Sequence, residues 1–545
     1  MSDQKLLRGT MLLTAATMIS KILGLIYIFP FTAIVGSTGI ALYNYGYLPY
    51  MVLLSLATLG VPLAISKFVS KYHTLGDFRT GHRLFKSGMI VLTITGFIAF
   101  LILFTLAPSL APLIVDSSEL NGNTHEDIIF TIRMVSVALV IVPIMAVIRG
   151  YFQGFQSMGP TAVSQVIEQI VRIFFILVVT FFIIQVMNGE LGTAVGFATF
   201  GAFMGAVGGL IVLIIYWIKR RRYIHDQINN STVDHKLSYK EMYKELIAYA
   251  LPLSFVGLAL PLYQLIDLFT FNNTLIASGM DQVEAETYFG IFSGTAHKII
   301  LIPMALATAL SVTLIPTITK SYTNGDKQTL QMQITQTFQI ILFLTIPAAV
   351  GLSVLSYSVF GALYGLEDIE IGGYILRYYA PITLFFSLFA VAAAILQGLN
   401  KQKVAVIALA AGLVMKLLTT QLLLSTFGPL GGVLATYLGY FTSLIITIWA
   451  IGKYGDFHYL FIVKRALLIF IFALLMAIGV SIINVGMRVM FEEASRFMEW
   501  IILLLGTGAG GVIFLYFAYR SHLAGQVLGN RFRFLKREKE INAEE

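Results

Sequence analysis

Six ionisable side chains sit where the surrounding sequence offers them no water. Lys21, Glu168, Arg172, Asp267, Lys298 and Lys416 each lie inside a long apolar stretch, and a charge near the middle of a span costs roughly 2.5–3.5 kcal/mol to insert, so it must face a cavity or a partner. Glu168 and Arg172 stand four residues apart, the spacing of an ion pair on one helix face. Asp267 is the natural partner for Lys416 if their helices touch. Lys21 and Lys298 have no acid within one helical turn, and Lys298 follows His297. Two such ammonium groups, joined by Arg172, suit a phosphate or pyrophosphate: each lysine is a point charge and the arginine a two-pronged fork. The competing reading for every one of the six is a structural ion pair between helices.

Other reactive chemistry has little support. The chain has no cysteine, hence no disulfide, thiolate metal site or thiol nucleophile, and its eight histidines are scattered with only His297 deep in an apolar stretch. No catalytic residue, metal site or cofactor is expected.

The elements that must position these charges are membrane helices. Of 545 residues, 57% are hydrophobic and 12% charged, about half the charge of a soluble chain, and mean hydropathy is +0.84. A spanning helix needs about 20 apolar residues. Polar breaks leave about fourteen such stretches, at 10–35, 42–69, 86–112, 128–150, 160–187, 192–218, 244–272, 286–319, 333–361, 373–398, 402–427, 430–452, 463–487 and 497–519. The first is too long for a cleaved signal peptide and carries Lys21. Most of the 36 Lys and Arg residues fall on alternate loops that share a side with both ends of the chain, while the opposite loops hold acids such as Asp116, Asp281 and Asp368. The positive-inside rule therefore puts both termini in the cytoplasm. The run Lys219–Arg222 and the tail from Arg520 read as orientation signals at an anionic leaflet, which removes the case for nucleic acid that a net charge of +8 would otherwise raise.

The chain repeats itself. Phe152-Gln-Gly-Phe-Gln returns as Leu396-Gln-Gly-Leu-Asn, a shift of 244 residues from Gly154 to Gly398, and Lys71-Tyr72 with Gly76-Asp77 returns as Lys320, Tyr322 and Gly325-Asp326, a shift of 249 from Asp77 to Asp326. The same 244-residue shift carries Arg172 onto Lys416. The expected architecture is an all-α polytopic membrane protein: an N-lobe of six helices over 1–218, a cytoplasmic linker over 219–243, a C-lobe of six helices over 244–453, two extra helices over 454–520 and a basic tail over 521–545. Parallel repeats of this kind are related by a pseudo-two-fold axis along the membrane normal and place a site at the lobe interface.

Glycines and prolines read mostly as packing. Gly201, Gly205 and Gly209 form a small-residue stripe for close helix approach. Gly506, Gly508 and Gly511 satisfy G-x-G-x-x-G, but inside an apolar helix with no preceding strand, so the dinucleotide reading fails. Pro30 and Pro303 are hinge candidates.

Ser20-Lys21-Ile-Leu-Gly24, Arg149-Gly-Tyr-Phe-Gln-Gly154, Met158-Gly-Pro160-Thr-Ala-Val-Ser-Gln165 with Glu168-Gln, and Leu301-Ile-Pro303-Met-Ala-Leu-Ala-Thr308 resemble the MurJ and SpoVB-type polysaccharide-biosynthesis proteins, within the multidrug/oligosaccharidyl-lipid/polysaccharide exporter superfamily. The resemblance covers essentially the whole chain. It implies two six-helix lobes around a cationic cavity, a groove for a polyprenyl tail between the last two helices, and the flipping of lipid II, an undecaprenyl-diphosphate-linked muropeptide, to the outer leaflet for peptidoglycan synthesis. By position it makes Lys21 and Lys298 basic cavity residues, and Arg149, heading the most specific motif, joins the gate candidates. It also implies a bacterial plasma-membrane location, a lipid-linked diphosphate glycan as cargo, membrane lipids and the cell-wall synthesis machinery as partners, and a monomer. Better-known members carry an Arg-Asp pair on helix 1 where this chain has Tyr27 and Ile28, and an arginine on helix 2 where this chain is uncharged. Some bind sodium between helices 7, 11 and 12; here Lys416 beside Asp267 would supply a tethered cation instead.

Two other readings compete. A cation-coupled multidrug exporter favours an acidic cavity, whereas the deep charges without local partners here are lysines. A membrane glycosyltransferase or polymerase needs acids on a sizeable outer loop, and the outer loops are short. Outward movement of a diphosphate is helped by an inside-negative potential, about 2.3 kcal/mol per charge per 100 mV.

Overall fold

The computed structural model describes residues 2–58, 60–116, 122–231, 233, 258–490, 495–523 and 525. Most of the expected linker, the start of the expected span 244–272 and nearly all of the basic tail lie outside the described residues. Within them every regular element is a helix. In chain order they are α1 (Ser2–Ile26), α2 (Ile28–Thr58), α3 (Val61–Thr74), α4 (Phe78–Ile114), α5 (His125–Ser136), α6 (Ala138–Gly154), α7 (Met158–Phe181, continued by a π-helical turn Phe182–Val186), α8 (Leu191–Asn229), α9 (Ala259–Ala277), α10 (Gln282–Phe289, continued by a π-helical turn Gly290–Thr295), α11 (Ala296–Thr323), α12 (Lys327–Val354), α13 (Ser356–Tyr364), α14 (Ile369–Tyr379), α15 (Ile382–Gly398), α16 (Gln402–Phe427), α17 (Leu430–Gly455), α18 (Leu460–Met490) and α19 (Arg496–Arg520).

Among the described residues, ten helical runs are long and apolar enough to cross a membrane, eleven with the α14–α15 pair, which bends by 42°. The difference from the expected fourteen has visible causes. The first two expected spans merge into one run, Met11–Thr74, whose true division is Gly36, a residue at φ 66 and ψ −179 that glycine alone adopts readily. The seventh falls partly outside the described residues, and a π-helical turn interrupts the eighth. The outer faces are apolar and exposed, as at Phe174 (68%) and Leu418 (73%); on a spanning helix such faces meet hydrocarbon, since the backbone is satisfied internally.

The sequence repeat is a repeat of local geometry. Gly76 and Gly325 turn with φ 74 and 70, the Asp77 and Asp326 amides return to Tyr72 O and Ser321 O at 2.9 and 3.0 Å, and each aspartate then caps the next helix through the amide three residues on, Thr80 at 2.9 Å and Thr329 at 3.0 Å. Gln156 and Asn400 both sit at positive φ, 56 and 57. A Cβ on Gly154 would lie 2.6 Å from Val69 Cβ, and one on Gly398 2.6 Å from Ile318 Cγ2. Val69 and Ile318 are themselves separated by the repeat shift of 249 residues.

The chain divides into two compact units, Met1–Gly294 and Thr295–Glu545. In the first, Val61, Ile65, Phe68, Phe85 and Tyr151 form a core against Trp217, with the Phe85 and Trp217 rings stacked at 5.1 Å. α9 and α10, which the repeat shift assigns to the second lobe, belong to this first unit. In the second, α16 pairs with α17, α11 with α15, and α12 with α18.

Candidate functional site

In the first unit, α7 presents Ser164, Glu168 and Arg172 at four-residue intervals. Glu168 does not pair with Arg172, as its spacing suggested. Its Oε2 lies 2.7 Å from Arg149 Nη2 on α6, and the same guanidinium donates to Ser164 Oγ at 2.7 and 3.2 Å. Ser164 in turn donates to Gly209 O at 3.0 Å. Arg149, the gate candidate, is thus the clasp between α6 and α7.

Arg172 turns the other way. Its guanidinium carbon stands 5.2 Å from the centre of the Tyr47 ring, within the electrostatic reach of Tyr27, Tyr43 and Tyr50, and its Nη2 is buried with no hydrogen-bond partner. Aromatic faces attract a cation without neutralising it. This box of tyrosines was readable as a spacing on α2, where 43, 47 and 50 fall on one face, but not as a partner of α7. The glycine stripe makes room for both charges: a Cβ on Gly205 would be 2.8 Å from Arg172 Cβ and one on Gly209 3.2 Å from Glu168 Cβ. Lys21 is exposed on α1, which runs along α7 and approaches it closely at Gly24, 3.1 Å from Gln169 Nε2 by its missing Cβ. Pro30 is exposed in the first turn of α2, and the helix breaks at Gly36 instead.

A polar seam that the sequence did not suggest joins α9, α10 and its π-helical turn to α2 and the loop before α5. Glu286 is fully buried. Its Oε2 accepts from the Asn123 amide at 3.1 Å and from Asn123 Nδ2 at 2.8 Å, and Gln282 Nε2 donates to its Oε1 at 3.4 Å. Tyr45 also hydrogen-bonds it and accepts from Asn272 Nδ2 at 2.8 Å. Asn123 Nδ2 reaches Thr38 O at 3.2 Å and Asn44 reaches Ser293 Oγ at 3.2 Å. Asp267 is buried on α9.

In the second unit Lys298 is half-buried, next to His297, whose Nδ1 lies 2.9 Å from the Tyr379 hydroxyl. Lys416 is fully buried and donates to Thr436 Oγ1 at 2.9 Å. An apolar cavity of about 420 Å³ opens among α11, α12, α18 and α19, walled by Pro303, Phe343, Pro347, Met476, Gly506 and Phe514. α11 is helical through Pro303, which serves as wall. Gly506 and Gly511 line the cavity too, so glycines that mimicked a nucleotide motif thin the helix beside a space suited to hydrocarbon. Arg488 and Glu499, 3.0 Å apart, tie α18 to α19. Among the described residues no cluster of metal-ligating side chains occurs.

Long apolar helices in two repeats, with cations set deep among them, define a multi-pass membrane protein of the transporter type. The family described as "Polysaccharide biosynthesis protein" matches residues 6–322, and the chain belongs to that family. It is 46% identical over 533 residues to the lipid II flippase MurJ of Bacillus subtilis (strain 168), covering 97% of this chain and 98% of that relative. It is 26% identical over 413 residues to the stage V sporulation protein B of the same organism, covering 73% and 74%. Among solved structures it resembles a lipid II flippase MurJ in an inward closed conformation, with TM-score 0.65 and 16% identity over 94% of this chain and 100% of that one. An inward-facing multidrug resistance transporter of the MATE family matches with TM-score 0.64 and 16% identity over 79% and 94%. These two share the fold.

Proposed function

We propose that this chain is a lipid II flippase, moving the undecaprenyl-diphosphate-linked precursor from the inner to the outer leaflet of the bacterial plasma membrane by alternating access. The observation that carries the reading is the 46% identity maintained across 97% of the chain and 98% of a lipid II flippase. The cations supply its chemistry. Lys21, exposed on α1, and Lys298, half-buried on α11, meet the diphosphate, and Arg172 adds a guanidinium set 5.2 Å from the Tyr47 ring. The apolar cavity over α18 and α19 takes the polyprenyl tail. Both termini lie in the cytoplasm, with lobes over 1–218 and 244–453. Arg149 with Glu168 is the ion pair that sets the conformational balance, and the Lys416 ammonium serves in place of a bound sodium ion. The protein acts as a monomer beside the cell-wall synthesis machinery.

The test is reconstitution. Purified chain in proteoliposomes carrying fluorescent lipid II should expose the label to an external quencher, faster under an imposed potential negative on the cytoplasmic side, and equally in sodium and choline buffers. Absence of flipping by folded protein overturns the flippase reading, and strict sodium dependence overturns the role given to Lys416.

A further inference from the structure

The polar seam of the first unit contains a carboxylate that the proposed transport chemistry does not use. Glu286 is 0% exposed, and among the described residues its oxygens are met by amides and one phenol and by no cation. A buried carboxylate without a counter-charge carries a desolvation cost that such hydrogen bonds offset in part and that a proton or the arrival of water removes. The seam is also short of hydrogen-bond donors. Gln282 Oε1 and Asn272 Oδ1, both in the same network, are buried without a partner. A carboxyl proton supplies a donor where one is missing, whereas a carboxylate adds a further acceptor.

Position gives the carboxyl its leverage. The network draws on four separate pieces of chain: Asn123 in the loop before α5, Tyr45 on α2, Asn272 on α9, and Gln282 with Glu286 itself on α10. The backbones behind it touch closely: a Cβ on Gly290 would collide with Ser37 O, and one on Gly122 would lie 2.8 Å from Gln282 Nε2 and 3.1 Å from Glu286 Oε2. α9 and α10 belong by the repeat to the second lobe, so this seam is where helices of one repeat are held against helices of the other.

We infer that Glu286 is a proton-binding site of the outer gate: the neutral carboxyl holds the seam closed, and loss of its proton to external water favours parting. The inference rests on the cytoplasmic placement of both termini, which puts Asn123 and Glu286 at the outer face. Closure forms one O–H bond on the Glu286 carboxyl with a proton from the outer solution, and opening returns that proton to the same solution. The other titratable groups near this end are differently engaged. Tyr45 shares the network, His125 Nε2 lies 2.8 Å from Val115 O, Asp127 caps α5 through Thr124, Asp281 caps α10, and Asp116 and Glu284 are exposed.

The absence of cysteine from the chain makes thiol accessibility a direct readout. Ser293→Cys places a reporter in the closed seam, where Ser293 is 5% exposed, and Ser278→Cys, exposed at the same end, corrects for the pH dependence of the labelling reaction. In proteoliposomes without substrate, the ratio of impermeant-maleimide labelling at the two reporters should rise about tenfold, one unit of linked proton affinity, as outer pH goes from 5.5 to 8.5. Adding Glu286→Gln should leave the ratio low and flat, and adding His125→Gln should leave the rise intact. A flat ratio in the Glu286 parent, a rise that survives Glu286→Gln, or a rise abolished by His125→Gln overturns the inference. If Glu286→Gln fails to fold, judged by thermal melting of the purified protein, Tyr45→Phe takes its place: it removes one hydrogen bond to the carboxyl and should displace the midpoint of the rise, and an unmoved midpoint counts against the site. No lipid-linked substrate enters the measurement, so failure of the flippase reading leaves it standing.

Discussion

Positions 172 and 416 are equivalent by the repeat, both carry a cation, and the chain treats them differently. Around them the two halves are built alike: Val69 under Gly154 and Ile318 under Gly398 at the same 2.6 Å, Asp77 and Asp326 capping after a glycine turn, Gln156 and Asn400 at nearly the same positive φ. Yet Arg172 lies against the Tyr47 ring with one nitrogen unpartnered, while Lys416 is sealed from solvent and bonded to Thr436. Duplication preserved the scaffold and not the chemistry. A cation that aromatic rings hold keeps its field available to an incoming anion, whereas a fully buried, hydrogen-bonded lysine is committed to the fold.

The comparison breaks if the two cations behave alike. Arg172→Lys should keep expression and melting temperature near those of the parent but lower flipping at least about tenfold, because an ammonium cannot lie flat on Tyr47 or present a planar fork. Lys416→Ala should instead cost stability first, by about 2–5 kcal/mol, through the buried stem it empties, and is read by thermal melting in detergent. If Arg172→Lys melts early and Lys416→Ala merely flips slowly, the assignment is reversed.

The scaffold itself gives a smaller and paired effect. Gly154→Ala and Gly398→Ala should each destabilise by about 1–3 kcal/mol through overpacking, and the two losses should agree closely. Smaller still are the caps. Asp77→Ala should cost about 1 kcal/mol. At Asp326, exposed, hydrogen bonds from Thr329 hold the carboxyl below its ordinary 3.8, so its cap is complete at neutral pH and is lost only as pH falls through that lowered value. Melting of Asp326→Asn against parent should therefore differ at pH 7 and converge in acid.

The periodic and the local were legible in the sequence. The apolar stretches, the two repeat shifts with their matching Gly-Asp pairs, and the glycine stripe at 201, 205 and 209 all follow from spacing along one helix or one turn. Partner choice across helices was not. Glu168 and Arg172 have the spacing of an ion pair, but Arg149 on α6 brings a second contact, Ser164, and captures the carboxylate. Pro30 and Pro303 were the visible helix-bending residues, yet α2 breaks at Gly36 and the irregular turn before α11 is Gly290–Thr295, where glycines let backbones approach within van der Waals contact. Glu286 gave no signal because it lies at the edge of an apolar stretch, where an acid is ordinarily solvated. The loop carrying Asn123, together with Tyr45 on α2, closes over it in the fold.

The central claim is that Lys21 and Lys298, one on each repeat, receive an anionic lipid head. The most direct measurement is the leaflet distribution of lipid II in cells that depend on this chain alone for flipping, comparing parent with the double variant Lys21→Ala, Lys298→Ala at matched protein levels. Lipid II confined to the inner leaflet in the double variant, with cells failing to grow, is the predicted result; parental outer-leaflet lipid II and normal growth would contradict the account.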